Sequence, residues 1–138
     1  MRAKVGGLVV VAGLMVSAVP LLAHHSFAAE YDASKPITLK GTVTKIEWTN
    51  PHARFYLDVK GADGALTNWN MELASPNALQ RNGWTRRALN VGDEVTVQGS
   101  AAKDGSKMAN ARELTLASGR KVFARTSGDD ALPPERTR

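Results

Sequence analysis

The chain has 138 residues, 43% of them apolar, which suits one folded domain behind a leader and is too short for two. It has no cysteine, so disulfides, thiolate metal sites and cysteine nucleophiles are excluded. The formal charge of +5 falls by two if Arg2 and Lys4 leave with a leader, a modest excess that gives no reason to expect a nucleic-acid partner.

The first element is that leader. Met1–Lys4 carries two positive charges, and an apolar run from Val5 to Leu22 follows, relieved only by Gly6, Gly7, Gly13, Ser17 and Pro20. A positive start, an apolar middle and Pro20 just before a short exit segment predict a secretory signal peptide over residues 1–23. The run is also about long enough to span a bilayer, roughly 18 residues, so an uncleaved anchor is the competing reading. Cleavage after Ala23 leaves His24 as the first mature residue, although Leu21 stands where a small residue is preferred. Cleavage after Ala28, with Ser26 upstream, fits the small-x-small pattern better but falls inside a polar stretch. Either cut implies a periplasmic or secreted protein with no membrane contact after processing.

Residues 24–36 form a polar N-terminal segment, and the β pattern is expected to begin at Ile37. Ile37, Leu39, Gly41 and Val43 alternate with Thr38, Lys40, Thr42 and Thr44, after which Ile46 and Trp48 continue on the opposite parity. Such a flip within one strand predicts a bulge that bends it around a small barrel. Thr49-Asn50-Pro51-His52 is a turn. Strand two then places Ala53, Phe55, Leu57 and Val59 inward and Arg54, Tyr56 and Asp58 outward. A hairpin at Gly61–Gly64 leads to strand three, with Trp69, Met71 and Leu73 inward and Asn68, Asn70 and Glu72 outward.

Ser75 reads as a helix cap, Pro76 as the first helical residue and Gly83 as the stop; Leu79 and Trp84 are expected to plug one end of the barrel. Strand four carries Val95 and Val97 inward, Lys103–Ser106 is a hairpin turn, and strand five holds Ala109 and Ala111, with a short extension at Lys121–Phe123. Three strands, a helix and two strands is the order of an all-β, five-stranded OB-like Greek-key barrel over residues 37–124. An SH3-like barrel is the rival, but it does not normally place a helix there. Residues 125–138, with Gly128, Asp129-Asp130 and Pro133-Pro134, read as a disordered tail.

His24-His25-Ser26-Phe27, Trp48-Thr49-Asn50-Pro51-His52, Ser75-Pro76-Asn77 and Asn82-Gly83-Trp84 occur together in this order. In that combination the chain resembles an uncharacterised family of exported bacterial proteins, a domain of unknown function. Its mature members start near His-His-Ser-Phe and carry a Thr-Asn-Pro-His turn. The likeness covers nearly all of Ala23–Ala124. It implies export and a compact β domain, and it brings no established activity. Members of that family often carry an aromatic residue where Arg54 stands here.

The chemistry-bearing residues are the three histidines, His24, His25 and His52. After a cut at Ala23, His24 offers both its α-amine and its imidazole to one metal ion, and His52, in the loop after strand one, supplies a further imidazole. The α-amine has a pKa near 8, within reach of deprotonation at neutral pH. Imidazole suits copper, which leads the affinity order among common divalent ions, so copper is the expected cofactor if one is held. A second geometry uses the amine, the next amide nitrogen and the His25 ring as a planar chelate. The competing reading is a pair of solvated terminal histidines and a polar turn residue. Met71 and Met108 are a softer ligand set, with Met71 on the inward parity and better explained by packing.

The outward face of strands two and three offers a second candidate, a ligand face of Arg54, Tyr56, Asn68 and Asn70. One arginine and one tyrosine beside Asp58 and Glu72 make a poor nucleic-acid surface, and a saccharide, another small polar ligand or an envelope protein fits better. Glu47 with Asp58, or Glu72 with Asp93, are explained as solvated strand positions as well as by acid–base work. No nucleophile motif or phosphate loop is present, so the chain is expected to be a non-enzyme.

Overall fold

A computed structural model describes residues 27–124. The leader, His24, His25 and the tail of residues 125–138 lie outside the described residues. Among the described residues, no helix is long and apolar enough to cross a membrane.

A four-residue helix, α1 (Phe27–Glu30), runs directly into the long strand β1 (Tyr31–Glu47). There follow β2 (Arg54–Lys60), β3 (Leu66–Glu72), helix α2 (Pro76–Arg81), β4 (Glu94–Ala102), β5 (Met108–Leu116) and the short β6 (Lys121–Phe123). β1 is antiparallel to β2 along one flank and to β4 along the other. β2 continues to β3, and β4 to β5. The ring closes where β3 runs parallel to β5, with Asn70, Met71 and Glu72 opposite Met108, Ala109 and Asn110. β6 lies outside the ring on β5. This closed ring of five strands, with α2 between β3 and β4, is the OB-like architecture the element order implies.

The parity flip in β1 is a real irregularity. Val43 pairs with Leu57 but Lys45 pairs with Tyr56, so Thr44 is the extra residue. That residue turns Ile46 and Trp48 back onto the core, against which both pack. The core is built from the inward parities of the five ring strands: Val43, Phe55, Leu57, Met71, Val95, Val97, Ala109 and Ala111 are all buried, and Trp69 packs against them from a half-buried position. Phe55 and Leu57 have no exposed surface at all.

α2 is short because its signals sit close together. Ser75 Oγ accepts the Ala78 N–H at 3.3 Å, and Pro76 starts the helix without a donor to lose. Gly83, at φ +88°, ends it in the left-handed region, and Trp84 N–H returns to the Leu79 carbonyl at 3.0 Å. The turn delivers Leu79 and Trp84 into the core as a plug, with Trp84 Nε1 donating to the Phe123 carbonyl at 2.9 Å.

One expectation about β1 is corrected. The strand begins at Tyr31, ahead of the expected start at Ile37. Tyr31 pairs with Ala102 and Pro36 with Ser100, so the residues between them loop out of register. Within that loop Asp32 Oδ1 accepts the Ser34 N–H at 3.0 Å and its hydroxyl at 2.6 Å, a local turn that interrupts any alternation.

Candidate functional site

The register of β2 and β3 sets three outward residues of each strand face to face. Arg54 stands opposite Glu72, Tyr56 opposite Asn70, and Asp58 opposite Asn68. Paired residues on one sheet face are close enough to bond directly, and here they do. Arg54 donates to Glu72 Oε2 at 2.6 Å and to Asn70 Oδ1 at 3.3 Å. Asn68 donates to Asp58 Oδ1 at 2.7 Å and to Thr44 Oγ1 at 3.2 Å. Tyr56 donates to Glu47 Oε2 at 3.3 Å, and Lys45 pairs with the same carboxylate while lying 5.0 Å over the Tyr56 ring. The Lys45 hydrogen bond holds the Glu47 carboxyl below the ordinary carboxylate range. The four residues of the expected ligand face are thus brought together, and Arg54, Asn68 and Tyr56 each already donate to a neighbour.

Glu72 departs from its expected place. Its parity is outward, but only 6% of its surface is exposed, because residues ahead of Ile37 cover it. Tyr31 donates its phenolic hydroxyl to Glu72 Oε2 at 3.0 Å, on the same oxygen that Arg54 holds. Burial, and then the Glu72 carboxylate itself, push the Tyr31 phenol above its ordinary ionisation range. Sequence reasoning passed over Tyr31. The available signal is a pair of aromatic side chains, Phe27 and Tyr31, in an otherwise small and polar segment.

His52 stands beside this cluster, in the loop between β1 and β2 that contains a cis Asn50–Pro51 bond. Its Nδ1 is 3.1 Å from the Leu73 carbonyl oxygen and 3.8 Å from Glu72 Oε1. A carbonyl only accepts, so the shorter contact requires Nδ1 to carry a proton. In the neutral ring Nε2 then holds the lone pair. The loop is fixed from behind by Ala53, whose N–H donates to the Ala74 carbonyl at 3.1 Å and whose carbonyl accepts from Leu73 N–H at 2.9 Å.

The chain that leads into Tyr31 is pinned on its other side by the β4–β5 loop. Lys103 N–H donates to the Glu30 carbonyl at 2.9 Å, and Lys103 Nζ donates to the Ala28 carbonyl. The Phe27 and Tyr31 rings lie 5.7 Å apart. Among the described residues, no three His, Cys, Asp or Glu side chains converge as a metal site.

Fold and site together define a small OB-type barrel whose outer wall carries a buried Tyr31–Glu72 pair, matched by the half-buried Arg54, with one oriented histidine beside it. The chain belongs to DUF6152, a family of unknown function whose model matches residues 11–111. No curated protein matches it. Among solved structures it is similar to the mitochondrial single-stranded DNA binding protein Rim1 of S. cerevisiae, at 12% identity and a TM-score of 0.48, covering 60% of this chain and 93% of that one. It is also similar to the N-terminal domain of PriB from Thermoanaerobacter tencongensis, at 19% identity and a TM-score of 0.42, covering 61% of this chain and 97% of that one.

Proposed function

We propose that this protein is an exported, non-enzymatic binding protein of the periplasm that holds one late transition metal ion, copper above all, through its mature N-terminus and His52. His24 supplies the α-amine and its ring, with His25 as the alternative ring donor, and His52 completes the set. The observation that carries the reading is the orientation of His52. Its Nδ1 faces the Leu73 carbonyl at 3.1 Å with the Glu72 carboxylate close behind, which keeps Nε2 as the free donor atom. Metal-binding histidines are held in this way, the second nitrogen donating to a carbonyl or carboxylate that sets the tautomer and the ring angle. Support also comes from the arm: the cluster beside His52 grips Tyr31, and the Phe27 ring lies 5.7 Å from the Tyr31 ring.

The test is titration with Cu(II) of three exported proteins: the form that begins at His24, a form with one extra residue ahead of His24, and His52→Ala. The extra residue removes the α-amine from the His24 chelate, so most of the affinity should be lost. His52→Ala should weaken binding by a smaller factor. Equal affinity in all three would mean adventitious binding to surface groups. That result would leave the alternative, a barrel module that meets an envelope protein or saccharide through the Arg54–Tyr56 face. A mature chain that begins at Ala29 would end the metal reading outright.

A further inference from the structure

We propose that the segment around Trp84, with the end of β6, forms a membrane-docking face: unpaired arginines beside two exposed apolar side chains, suited to an anionic lipid surface. The proposal does not depend on the metal reading, and it gives the processed chain a membrane contact that its sequence does not lead one to expect. From Leu73 to Gly92 the chain carries Arg81, Arg86 and Arg87 and no lysine or acidic residue. All three arginines are exposed, as is Arg112 of β5. One peptide unit ties Arg112 to this segment. The Phe123 carbonyl accepts from Trp84 Nε1 at 2.9 Å, while the adjoining Ala124 N–H donates to the Arg112 carbonyl at 2.9 Å. Among the described residues, none of these four arginines forms an ion pair, whereas Lys40 stands 3.0 Å from Glu94 and Lys121 2.9 Å from Glu113. Carboxylates of the adjoining segments are thus already engaged, and Asp93 likewise accepts the Asn90 N–H at 2.8 Å.

The apolar part of the face is Phe123 and Val91, exposed by 56% and 65%, two of the three large apolar side chains left open among the described residues. Phe123 belongs to the peptide unit that Trp84 holds. Val91 follows Arg87 closely, and Asn90 Nδ2 on the Arg87 carbonyl at 3.2 Å closes the turn between them. Unpaired positive charge beside open apolar surface matches a partner that is anionic at its boundary and apolar just beneath. A bilayer with phosphate head groups has that layering. A nucleic acid offers the charge without the apolar layer. Arginine suits the boundary because it meets phosphate with two parallel N–H bonds and is more weakly hydrated than lysine. The face is also ready-made: Leu79, Trp84 and Leu89 are buried and anchor the segment from behind, so docking has little chain left to order.

The experiment is co-sedimentation of the full exported chain with two kinds of vesicle, pure phosphatidylcholine and phosphatidylcholine mixed with phosphatidylglycerol. Wild type should bind the mixed vesicles and not the neutral ones, and added salt should weaken binding as it screens the surface charge. A cation close to an anionic surface contributes about fivefold to binding, so Arg86→Gln combined with Arg87→Gln should lose about 25-fold. Phe123→Ser removes an exposed ring and should lose about fivefold while keeping the salt dependence. Lys103→Gln combined with Lys107→Gln removes the same charge from the β4–β5 loop, at the far end of β4, and should bind as wild type does. All of these side chains are exposed, so each variant should melt as wild type does, which calorimetry checks. Failure of wild type to bind the mixed vesicles, equal binding to both kinds, or wild-type binding by the arginine variant would overturn the proposal. Binding of poly-glutamate in place of the vesicles would overturn it too, and would assign the face to an acidic protein.

Discussion

Tyr31 reaches across 41 positions of sequence to place its hydroxyl 3.0 Å from Glu72 Oε2, on the outer wall of the barrel. The carboxylate beneath it is nearly closed to solvent and is matched by Arg54 at 2.6 Å. A buried charge persists in a folded protein only when it is paired and hydrogen-bonded, and this one has both kinds of partner. The contact joins the start of the described chain to the strand that closes the ring.

That contact makes stability fall in alkali. Burial and the Glu72 charge favour the neutral phenol, so the folded-state pKa of Tyr31 is raised above the unfolded value of about 10. The resulting stability is fully present below about pH 10 and is lost as pH rises through the higher folded-state value. Denaturant midpoints between pH 8 and 11 should decline in wild type and decline less in Tyr31→Phe. At neutral pH the same substitution should cost about 1.5–3 kcal/mol, the range for a hydrogen bond to a charged group. Parallel pH curves for the two proteins would exclude this assignment.

Removing the cation should be worse than removing both charges. Arg54→Leu leaves Glu72 buried with one partner fewer, at a cost of up to about 3 kcal/mol once the partial exposure of Arg54 is allowed for. Adding Glu72→Gln to Arg54→Leu should recover part of the loss, because the uncompensated charge is gone. Urea unfolding of the two variants checks the order.

Two glycines mark places where strands touch through their backbones. A Cβ on Gly41 would sit 2.1 Å from the Asp58 carbonyl oxygen, and one on Gly99 would sit 2.0 Å from that of Asn110. Neither obstacle is a side chain that can swing aside. Gly41→Ala and Gly99→Ala should each cost about 3 kcal/mol or more, the upper end for overpacking, and both should show lowered melting temperatures.

The barrel core should respond according to burial alone. Phe55→Ala is expected to cost about 3–5 kcal/mol and Leu57→Ala about 2–5 kcal/mol. Leu66, which is 65% exposed although equally apolar, should tolerate alanine within about 0.5 kcal/mol. Calorimetry of the three proteins separates the two classes.

Much of the barrel is legible in the chain. The alternation through Phe55 and Leu57, the parity flip after Val43, the Ser75–Pro76 helix start and the extension at Lys121–Phe123 each appear where local pattern places them. These features depend on side-chain period and on backbone preferences within a few residues. The four residues of the outer face, Arg54, Tyr56, Asn68 and Asn70, likewise share one wall because alternation puts them there.

The sequence by itself therefore determined the barrel: which residues face inward, where the strand bends, and where the helix starts and stops. Only the tertiary structure decided the surroundings of Glu72 and His52. Alternation gives Glu72 an outward side chain, and nothing local says that Tyr31 will lie over it. Their meeting depends on a looped-out register between Tyr31 and Pro36 and on closure of β3 against β5, both set by contacts far apart in the chain. The orientation of His52 is of the same kind, since its carbonyl partner at Leu73 is supplied by another strand's end. Short-range preferences carry no record of such pairings; they form when packing of the whole barrel brings distant segments to one wall.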